Sequence, residues 1–481
     1  MKHTAKLLAL LAVGLLAVSS GCNDPLRVSI PDIVPPGSLT DTAALATLRA
    51  GALGDFAIAF SGDHPDGSGG SGEGVIMYGG LLADEWINSE TFPTRIEVDA
   101  RTIQLTNSDV DLWYRLLHAA RNSAEKTAGR YAALRPDDPG HAEMLSLAGY
   151  AYIFFAETFC SGVPVSRLNE TTGDIIYGVP LTTKQLIDTA IARFDEALTV
   201  AGTVTDASSR VQMTNLASVG KARALVDSGD FAAAVTAVAG VPTSFAYVSE
   251  HSEISTFENN GVFNGNTVDR RYSVADSEGV VGFPFRSVAD PRITWRRRTT
   301  ASGKPGFGFD GLTPQYNNFR FGDRKAPIPV ATGVEARLIE AEAQLHPDTA
   351  TVSAAFLSAL NDPRSNAASR PYFNPSPFDR TNTLTNPIPA LPNLTATDAT
   401  NAGGAVNLLF SERARWLWLT AHRLGDLRRL ERQYARPDST VFPKGAYFKS
   451  NFPVYGTDVN LPVPVTERNN PNFTACLDRL P

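Results

Sequence analysis

The sequence has few of the residues that bind metals or act as nucleophiles. Its 481 residues include 3 cysteines and 7 histidines, and no pair of them has the spacing of a metal site. No Ser-His-Asp set stands out. The carboxylates of Asp84 and Glu85 are adjacent and would point differently, whereas a glycosidase holds two carboxylates about 5–10 Å apart across the sugar. We therefore expect no catalytic residue, no metal and no cofactor, and a surface-tethered hydrolase is the least favoured function.

Basic residues are too scattered for a nucleic-acid-binding protein. The 43 Lys and Arg are outnumbered by 50 Asp and Glu, which gives a net charge of −7. The basic run Arg296–Arg298 is short, and nucleic-acid binding needs clustered Lys and Arg. The sequence therefore predicts a partner other than nucleic acid.

The N-terminus carries an apolar run that is too short to span a membrane. Leu7–Val18 follows Lys2 and Lys6 and ends at small residues, whereas a transmembrane helix needs roughly 20 apolar residues. A basic start, a short apolar core and small residues are typical of a secretory signal peptide. We predict a signal peptide over residues 1–21, because the polar, proline-rich residues that follow could not continue a buried helix.

Each of the three cysteines has an expected role. Ser20-Gly21-Cys22 resembles a bacterial lipobox, in which Cys22 would carry acyl chains such as palmitate and anchor the protein to a membrane. An ordinary signal peptide with a cysteine near its cleavage site is the alternative. Residues 22–38 would form a stiff, proline-rich tether. Cys160 and Cys476 are predicted to form a disulfide in an oxidising compartment, with two unrelated buried thiols as the alternative.

The periodic segments of residues 39–481 predict a mainly α fold. Leu186, Ala190, Phe194 and Leu198 recur every four residues, which is typical of one buried helix face. Helix pairs over about 107–240 and 330–435 resemble tetratricopeptide hairpins, which would stack into a curved scaffold. Generic helical hairpins are the alternative.

Long irregular stretches interrupt the helices at about 62–106 and 241–329. Loops of this length inside an ordered domain are usually functional. We therefore expect them to carry the ligand surface of a single body, residues 39–481.

Several motifs together resemble the SusD/RagB family of outer-membrane nutrient-binding lipoproteins. The stretch "LLFSERARWLWLTAHRLGDLRRL" is similar to a late helix of that family, and "VEARLIEAEAQL", "ADPR" and the closing "LPVPVTERNNPN" are similar to other family motifs in the same order. The matching residues of the late helix are Glu412, Arg413, Arg423, Asp426, Leu427 and Arg429. We interpret these charged residues as cross-links of the scaffold, because partly buried charges are costly unless paired.

The resemblance implies a function as well as a SusD-like fold. It implies a lipid-anchored protein of the outer membrane that faces outside the cell and delivers a nutrient to a TonB-dependent (SusC-like) transporter. An oligosaccharide or polysaccharide is the expected ligand. A peptide or other non-sugar nutrient, or a role mainly as a transporter-docking adaptor, is the alternative.

Aromatic residues in the irregular stretches are the candidate ligand contacts. Trp86 with the nearby Asn88 matches a Trp and Asn that glycan-binding members of the family often carry, although Trp86 could instead anchor its loop. Trp295 is a second candidate, or else a residue of a strand, since Ile293 and Trp295 alternate with polar neighbours. Further candidates are Tyr272, Tyr78 and Tyr316.

Overall fold

The computed structural model describes residues 41–62, 73–169, 172–346, 348–366 and 388–481. The predicted signal peptide, the tether and Cys22 lie outside the described residues. The chain divides into two compact units, residues 1–45 and 46–481. In the first unit, the Asp41 carboxylate accepts hydrogen bonds from the backbone nitrogens of Ala43 and Ala44, where helix α1 (Ala44–Ser61) begins.

Helices α4 to α8 form successive hairpins in the second unit, and each begins where its sequence supplies a cap. The Asn107 side chain accepts from the backbone nitrogens of Asp109 and Val110 at the start of α4, and Thr182 with Gln185 forms a capping box at α6. Each helix packs on the next along the chain. Their bounds are α4 (Ser108–Leu134), α5 (Pro139–Thr158), α6 (Thr183–Thr203), α7 (Ala207–Ser228) and α8 (Phe231–Val238).

The close packing of these hairpins depends on glycine. Phe194 of α6 lies between Gly149 of α5 and Gly220 of α7. A Cβ atom at Gly149 would lie 2.7 Å, and one at Gly220 2.3 Å, from the Phe194 ring. The three helices therefore approach one another closely here, and Tyr150 completes the contact with its ring 5.2 Å from that of Phe194.

Helix α1 has the length and hydropathy of a membrane-spanning segment, but its C-terminal half packs like a core helix. The Phe60 ring stacks on that of Phe154 at 5.6 Å. The Trp113 indole donates to the carbonyl oxygen of Ala59 at 3.0 Å. Length and composition alone also select the buried helices of globular proteins.

The later helices confirm a mainly α fold, with one correction. The motif "LLFSERARWLWLTAHRLGDLRRL", residues 408–430, was expected to form a single helix, but that helix ends at Trp416 and a new one begins at Arg423. Leu419 and Ala421 adopt positive φ angles of 57° and 62° in the break. The bounds of these helices are α10 (Gly333–Ala343), α11 (Ala354–Ser365), α12 (Ala396–Asn401), α13 (Ala405–Trp416) and α14 (Arg423–Arg432).

The stretches predicted to be irregular contain short elements. Residues 62–106 include α2 (Val75–Leu82), β1 (Trp86–Asn88) and α3 (Pro93–Asp99). Residues 241–329 include a helical turn, α9 (Gly261–Phe263), which continues as a π-helical turn over Asn264–Val268. A 3₁₀ turn of three residues lies at Thr256–Glu258. Outside these stretches, 3₁₀ turns lie at Asp438–Thr440, with three residues, and at Val465–Asn469, with five.

The described strands pair in five two-stranded antiparallel sheets. Two sheets position the candidate site: Trp86 of β1 lies opposite Val274 of β7, and Trp295 of β8 lies opposite Asn318 of β9. The other pairs are β2 with β5, β3 with β4, and β6 with β10. The remaining bounds are β2 (Val163–Pro164), β3 (Arg167–Leu168), β4 (Ile175–Ile176), β5 (Pro180–Leu181), β6 (Ala246–Ser249), β7 (Tyr272–Val274), β8 (Trp295–Arg297), β9 (Tyr316–Asn318) and β10 (Ile328–Thr332).

Buried ion pairs join the late helices to the rest of the second unit. Asp426 accepts from Arg413 and from Arg429, each at 2.7 Å. Glu412 accepts from Arg292 and Arg364. Asp426 therefore joins α13 to α14 through two buried guanidinium groups.

Glu412 and Arg423 do not share a helix, contrary to our expectation, because of the break between α13 and α14. Arg423 instead pairs with Asp84. The charged residues of the late motif thus tie several elements together, as interpreted from the sequence, but through partners that the sequence did not indicate.

A disulfide joins Cys160, just after α5, to Cys476 near the C-terminus, with the two Cα atoms 6.0 Å apart. The adjacent backbone reinforces this connection. Residues Ser161 and Asp478 form an isolated antiparallel bridge, and the Arg428 guanidinium donates to the carbonyl oxygen of Ala156. The C-terminal residues are therefore fastened to the end of the first helical hairpin.

Candidate functional site

Four of the predicted ligand contacts lie in the interior. Trp86, Asn88, Tyr78 and Tyr272 are buried, with relative exposures of 0–1%. Trp86 packs on α2, where a Cβ at Gly80 would lie 2.5 Å from its ring. The expectation that these side chains offer a surface to a ligand is therefore corrected. The β1–β7 pairing buries Trp86, Asn88 and Tyr272, and Tyr78 lies on α2, all of whose residues are buried. The alternative role for Trp86, an anchor of its loop, fits its position.

A buried polar cluster lies among these residues. Glu73 accepts from the Tyr272 hydroxyl at 2.6 Å and pairs with Arg95 at 2.6 Å. Arg95 also approaches Glu90 at 3.3 Å. Burial raises the pKa of Glu90 to about 7, although the charge of Arg95 acts to lower it. The cluster holds the 86–95 segment in place beneath the surface.

A cleft of about 470 Å³ opens above this segment. Phe448 on its wall keeps 47% of its surface exposed. Aromatic and aliphatic side chains form the apolar part of the cleft wall. The other lining side chains are either short and polar, or charged. The lining residues are Glu90, Thr91, Ile96, Asp310, Leu312, Thr313, Pro314, Phe448, Lys449, Ser450, Asn451 and Phe452.

Lys449 holds the walls of the cleft together. Its ammonium group donates to the carbonyl oxygen of Glu90 at 2.5 Å and to Asp310 Oδ2 at 2.8 Å. Asp310 also accepts from the backbone and the hydroxyl of Thr313. Partial burial acts to raise the pKa of Asp310, but the hydrogen bonds from Lys449 and Thr313 outweigh it and lower the pKa. Three separate segments of the chain therefore meet at one ammonium group.

Two more phenylalanines lie close to the cleft and share one arginine. Phe92 and Phe309 keep 45% and 49% of their surface exposed. The Arg271 guanidinium carbon lies 5.6 Å from the Phe92 ring centroid and 5.9 Å from that of Phe309. Phe92 immediately follows Glu90 and Thr91 of the cleft, and Phe309 immediately precedes Asp310. A band of half-exposed rings therefore lies beside the cleft.

The remaining two predicted contacts meet on the β8–β9 hairpin. Trp295 and Tyr316 are both half-buried, and their rings lie edge to face at 5.4 Å. Arg286 lies over the Tyr316 ring at 3.6 Å, and Arg297 lies 5.0 Å from the same ring and 5.5 Å from that of Phe307. We call these five residues the arginine patch. Trp295 is a strand residue, as one interpretation from the sequence had it. It is also partly accessible, and its contact with a ligand stays a prediction.

The arginine patch and the cleft adjoin. Phe307 of the patch and Pro314 of the cleft face each other in an antiparallel β-bridge. The turn between them lies tightly on the 86–95 segment, since a Cβ at Gly308 would be 2.4 Å from the Cβ of Ser89. One short hairpin therefore carries residues of both surfaces.

Sequence reasoning missed Phe92, Phe309 and Phe448. The candidates from the sequence were tryptophans, tyrosines and one asparagine, and only tertiary structure brings these three distant phenylalanines near one another. A signal was present in "GFGFDG" and "YFKSNF", where aromatic residues stand among glycine and polar residues. Such composition is typical of surface loops, which often carry binding residues.

A second cavity, of about 530 Å³, lies between α1 and β6. Glu143 on its wall accepts two bonds from Arg49, at 2.5 and 2.8 Å, and one from the Tyr247 hydroxyl at 3.0 Å. Phe257 is half-exposed at its edge. The carboxylate of Glu143 is thus already satisfied by protein groups, which leaves it little capacity for a ligand.

Comparisons with known proteins bear on the fold. No protein-family model and no curated protein matches the chain. A SusD/RagB-family protein of Bacteroides thetaiotaomicron matches with a TM-score of 0.61 and 14% identity, over 88% of this chain and 94% of that one. A laminarin-binding SusD-like protein matches with a TM-score of 0.57 and 13% identity, over 91% and 99%.

A third match has a bound oligosaccharide. Surface glycan-binding protein A of Bacteroides thetaiotaomicron, in complex with laminarihexaose, has a TM-score of 0.56 and 11% identity, over 91% of this chain and 100% of that one. Each of these similarities spans nearly the whole of both chains. The fold expected from the sequence motifs is therefore confirmed: this chain has the SusD-like fold.

Proposed function

We propose that this protein binds an oligosaccharide in the cleft and does not alter it chemically. The observation that carries the proposal is the set of three half-exposed phenylalanines, Phe92, Phe309 and Phe448, around a cleft lined by short polar side chains. An accessible phenylalanine in a concave site provides a flat apolar face at low entropic cost.

The chemistry of the cleft suits a sugar. A pyranose ring has an apolar C–H face that can lie on an aromatic ring, while its hydroxyls need nearby donors and acceptors. Thr91, Ser450 and Asn451 supply such groups on the cleft wall. The volume of about 470 Å³ falls within the roughly 300–1,000 Å³ that is usual for small-molecule sites.

The comparisons support the proposal without carrying it. One protein with this fold is described as laminarin-binding, and another was obtained with laminarihexaose. At 11–13% identity these similarities concern the fold. The cleft and its rings are the argument for a glycan ligand in this chain.

The proposal extends to location and partner. Cys22 would carry the lipid that holds the protein on the outer membrane, facing outside the cell, and the bound glycan would pass to a TonB-dependent transporter. The signal-peptide pattern and the Ser20-Gly21-Cys22 motif support the anchor. Mass spectrometry of the N-terminal peptide should find acyl chains on Cys22. Purification of the lipidated protein from its own outer membrane should recover the transporter with it.

Calorimetric titration with a panel of neutral and acidic oligosaccharides and of peptides tests the binding function. We expect saturable binding to one glycan class and recovery of that glycan intact by chromatography. Phe448→Ala should weaken binding at least about tenfold. Phe257→Ala, which removes a similarly exposed ring at the second cavity, should leave binding unchanged.

The other outcomes have distinct meanings. Binding of peptides alone would identify a non-sugar nutrient. No binding to any member of the panel, together with recovery of the transporter, would indicate a docking adaptor. If shortened glycan products form with the unaltered protein and with every cleft variant, a contaminating hydrolase is their source. If the cleft variants no longer form them, the non-catalytic assignment is overturned.

A further inference from the structure

The ligand face of this acidic protein is locally basic. Residues 268–326 contain eleven Lys and Arg and six Asp and Glu, a net charge of +5, although the whole chain has a net charge of −7. This segment includes β8, β9 and the hairpin that joins the arginine patch to the cleft. Two of the eleven basic residues, Arg292 and Arg320, are buried, and the others lie at least partly on the surface. A positive surface attracts anions to one place.

Two arginines of the patch have hydrogen-bonding capacity that the protein does not use. Arg286 and Arg297 form no ion pair with a described acidic residue. In the described part of the chain, the Arg297 Nη1 and Arg286 Nε atoms are buried and lack an acceptor. Buried N–H groups are normally paired, because an unpaired one costs free energy. Each guanidinium is instead held by stacking on Tyr316, which orients it and leaves its N–H edge for another partner.

A second pair of arginines lies on the same face. Arg298 follows Arg297, and its pKa is lowered by partial burial and by the nearby charge of Arg270. Neither Arg298 nor Arg270 forms an ion pair with an acidic residue of the described ranges. The Arg270 carbonyl accepts from the backbone nitrogen of Phe309, so this pair lies beside the ring band. Like charges placed together without a counter-charge favour the binding of an anion.

We infer that the ligand of this protein is an anionic oligosaccharide, whose carboxylate or sulfate groups bind at the arginine patch while its neutral ring faces occupy the cleft. This inference rests on the proposed function, because it names the class of glycan that the same surface takes. Guanidinium groups bind carboxylate and sulfate oxygens with paired, charge-assisted hydrogen bonds. The Phe307–Pro314 bridge places the two parts of the surface side by side, so one oligosaccharide can contact both.

A single-stranded nucleic acid is the other polymer that combines anionic groups with flat rings. The overall charge of −7 opposes a long polyanion, whereas a short saccharide with a few charges meets mainly the local field. The cleft supplies short polar side chains suited to hydroxyls rather than an extended basic track. These observations favour the saccharide.

The test is calorimetric titration of the purified protein at low salt with four probes of similar length. These are a hexagalacturonate, a sulfated galactan hexasaccharide, neutral laminarihexaose and a single-stranded thymidine oligonucleotide. We expect an acidic saccharide to bind at least about tenfold more tightly than the neutral one, with an affinity that falls as salt is raised. Preference between the hexagalacturonate and the sulfated probe distinguishes carboxylate from sulfate as the source of the charge.

Variants locate the site. Arg297→Gln should weaken acidic-saccharide binding about tenfold and leave the affinity for laminarihexaose unchanged, and Arg286→Gln should act in the same direction. Arg115→Gln, on the exposed side of α4, is the matched control and should change neither affinity. If either patch variant fails to fold, the salt dependence and the acidic-to-neutral ratio of the unaltered protein still decide the question.

The failures are distinguishable. Equal or tighter binding of the neutral saccharide would overturn the anionic class and leave the proposed glycan function standing. Binding of the oligonucleotide in preference to every saccharide would overturn both. Absence of saccharide binding of any kind would overturn the proposed function and this inference with it.

Discussion

Asp84 and Arg423 are 339 positions apart in the sequence and form a two-point ion pair in the interior, with both bonds 2.6 Å long. Asp84 Oδ2 also accepts from the backbone nitrogen of Phe283 at 2.7 Å. A single carboxylate therefore connects the segment before β1, the loop after β7 and the first turn of α14. These segments lie beneath the proposed ligand face.

Arg423→Ala should destabilise the protein severely. It would leave the Asp84 carboxylate buried without its counter-charge, and breaking a buried pair in this way costs about 3–5 kcal/mol. Urea denaturation should show this loss of unfolding free energy. Arg115→Ala breaks an exposed pair with Asp111 and should cost less than about 1 kcal/mol. If both variants lose less than about 1 kcal/mol of unfolding free energy, the Asp84–Arg423 pair does not stabilise the fold in this way.

Trp86→Ala should act on stability rather than on ligand contact. Removing a fully buried tryptophan leaves a cavity, and such truncations cost about 3–5 kcal/mol. Trp295→Ala, which removes a half-buried ring from the arginine patch, should cost less stability and weaken ligand binding more. Thermal denaturation and calorimetry on the two variants provide the comparison. Loss of binding by Trp86→Ala at unchanged stability would restore Trp86 as a ligand contact.

Glu278 should make the protein less stable as the pH rises. Burial raises its pKa to about 8, with the nearby Asp99 carboxyl adding to the shift, and its side chain accepts from the Tyr455 hydroxyl. Between the unfolded pKa of about 4.5 and the folded value, the folded state holds a proton that the unfolded state has lost. Stability therefore falls as pH increases through this interval.

Glu278→Gln removes that dependence and keeps an acceptor for Tyr455. The unfolding free energy of the unaltered protein should fall relative to the variant by about 1–3 kcal/mol between pH 5 and pH 8. Denaturation at pH 5, 6.5 and 8 measures the difference. A difference that stays constant over this range would show that Glu278 ionises normally in the fold.

The Cys160–Cys476 disulfide should contribute to stability by restricting the unfolded chain. It joins residues 316 positions apart, and removing a native disulfide typically costs about 2–5 kcal/mol. Cys476→Ser should show this loss in urea denaturation, and the unaltered protein in reducing agent should match the variant. If reducing agent lowers the stability of the variant as well, the effect does not come from this bond.

The sequence predicted the helical hairpins well because their signals are local. Asn107 and Thr182 cap the helices where their side chains suggest, and the face containing Phe194 is buried as its spacing indicates. The break between α13 and α14 has no such signal, since "WLWLTAHR" lacks both glycine and proline. It is stabilised from a distance: the Glu85 carboxylate accepts from the Leu419 nitrogen at 2.8 Å, and Arg320 donates to the Trp418 carbonyl.

The site was predicted less completely for a related reason. The cleft and the arginine patch draw on the irregular stretches 62–106 and 241–329, where the sequence predicted the ligand surface, and that location stays a prediction. Trp86 and Tyr272 are buried because β1 pairs with β7, and a pairing between such distant residues cannot be read from either segment alone. Phe448 lies outside both stretches and joins the cleft through Lys449.

Because four of the five tryptophans are buried, quenching of tryptophan fluorescence reports on Trp295. Trp86, Trp113, Trp416 and Trp418 are all 0% exposed, whereas Trp295 is half-buried. A dissolved quencher therefore reaches the Trp295 indole in the arginine patch and not the four buried indoles. Iodide, an anion, should be drawn to that surface more strongly than neutral acrylamide, and a bound ligand should shield it. The fluorescence of an unlabelled sample would then show whether a ligand occupies the arginine patch.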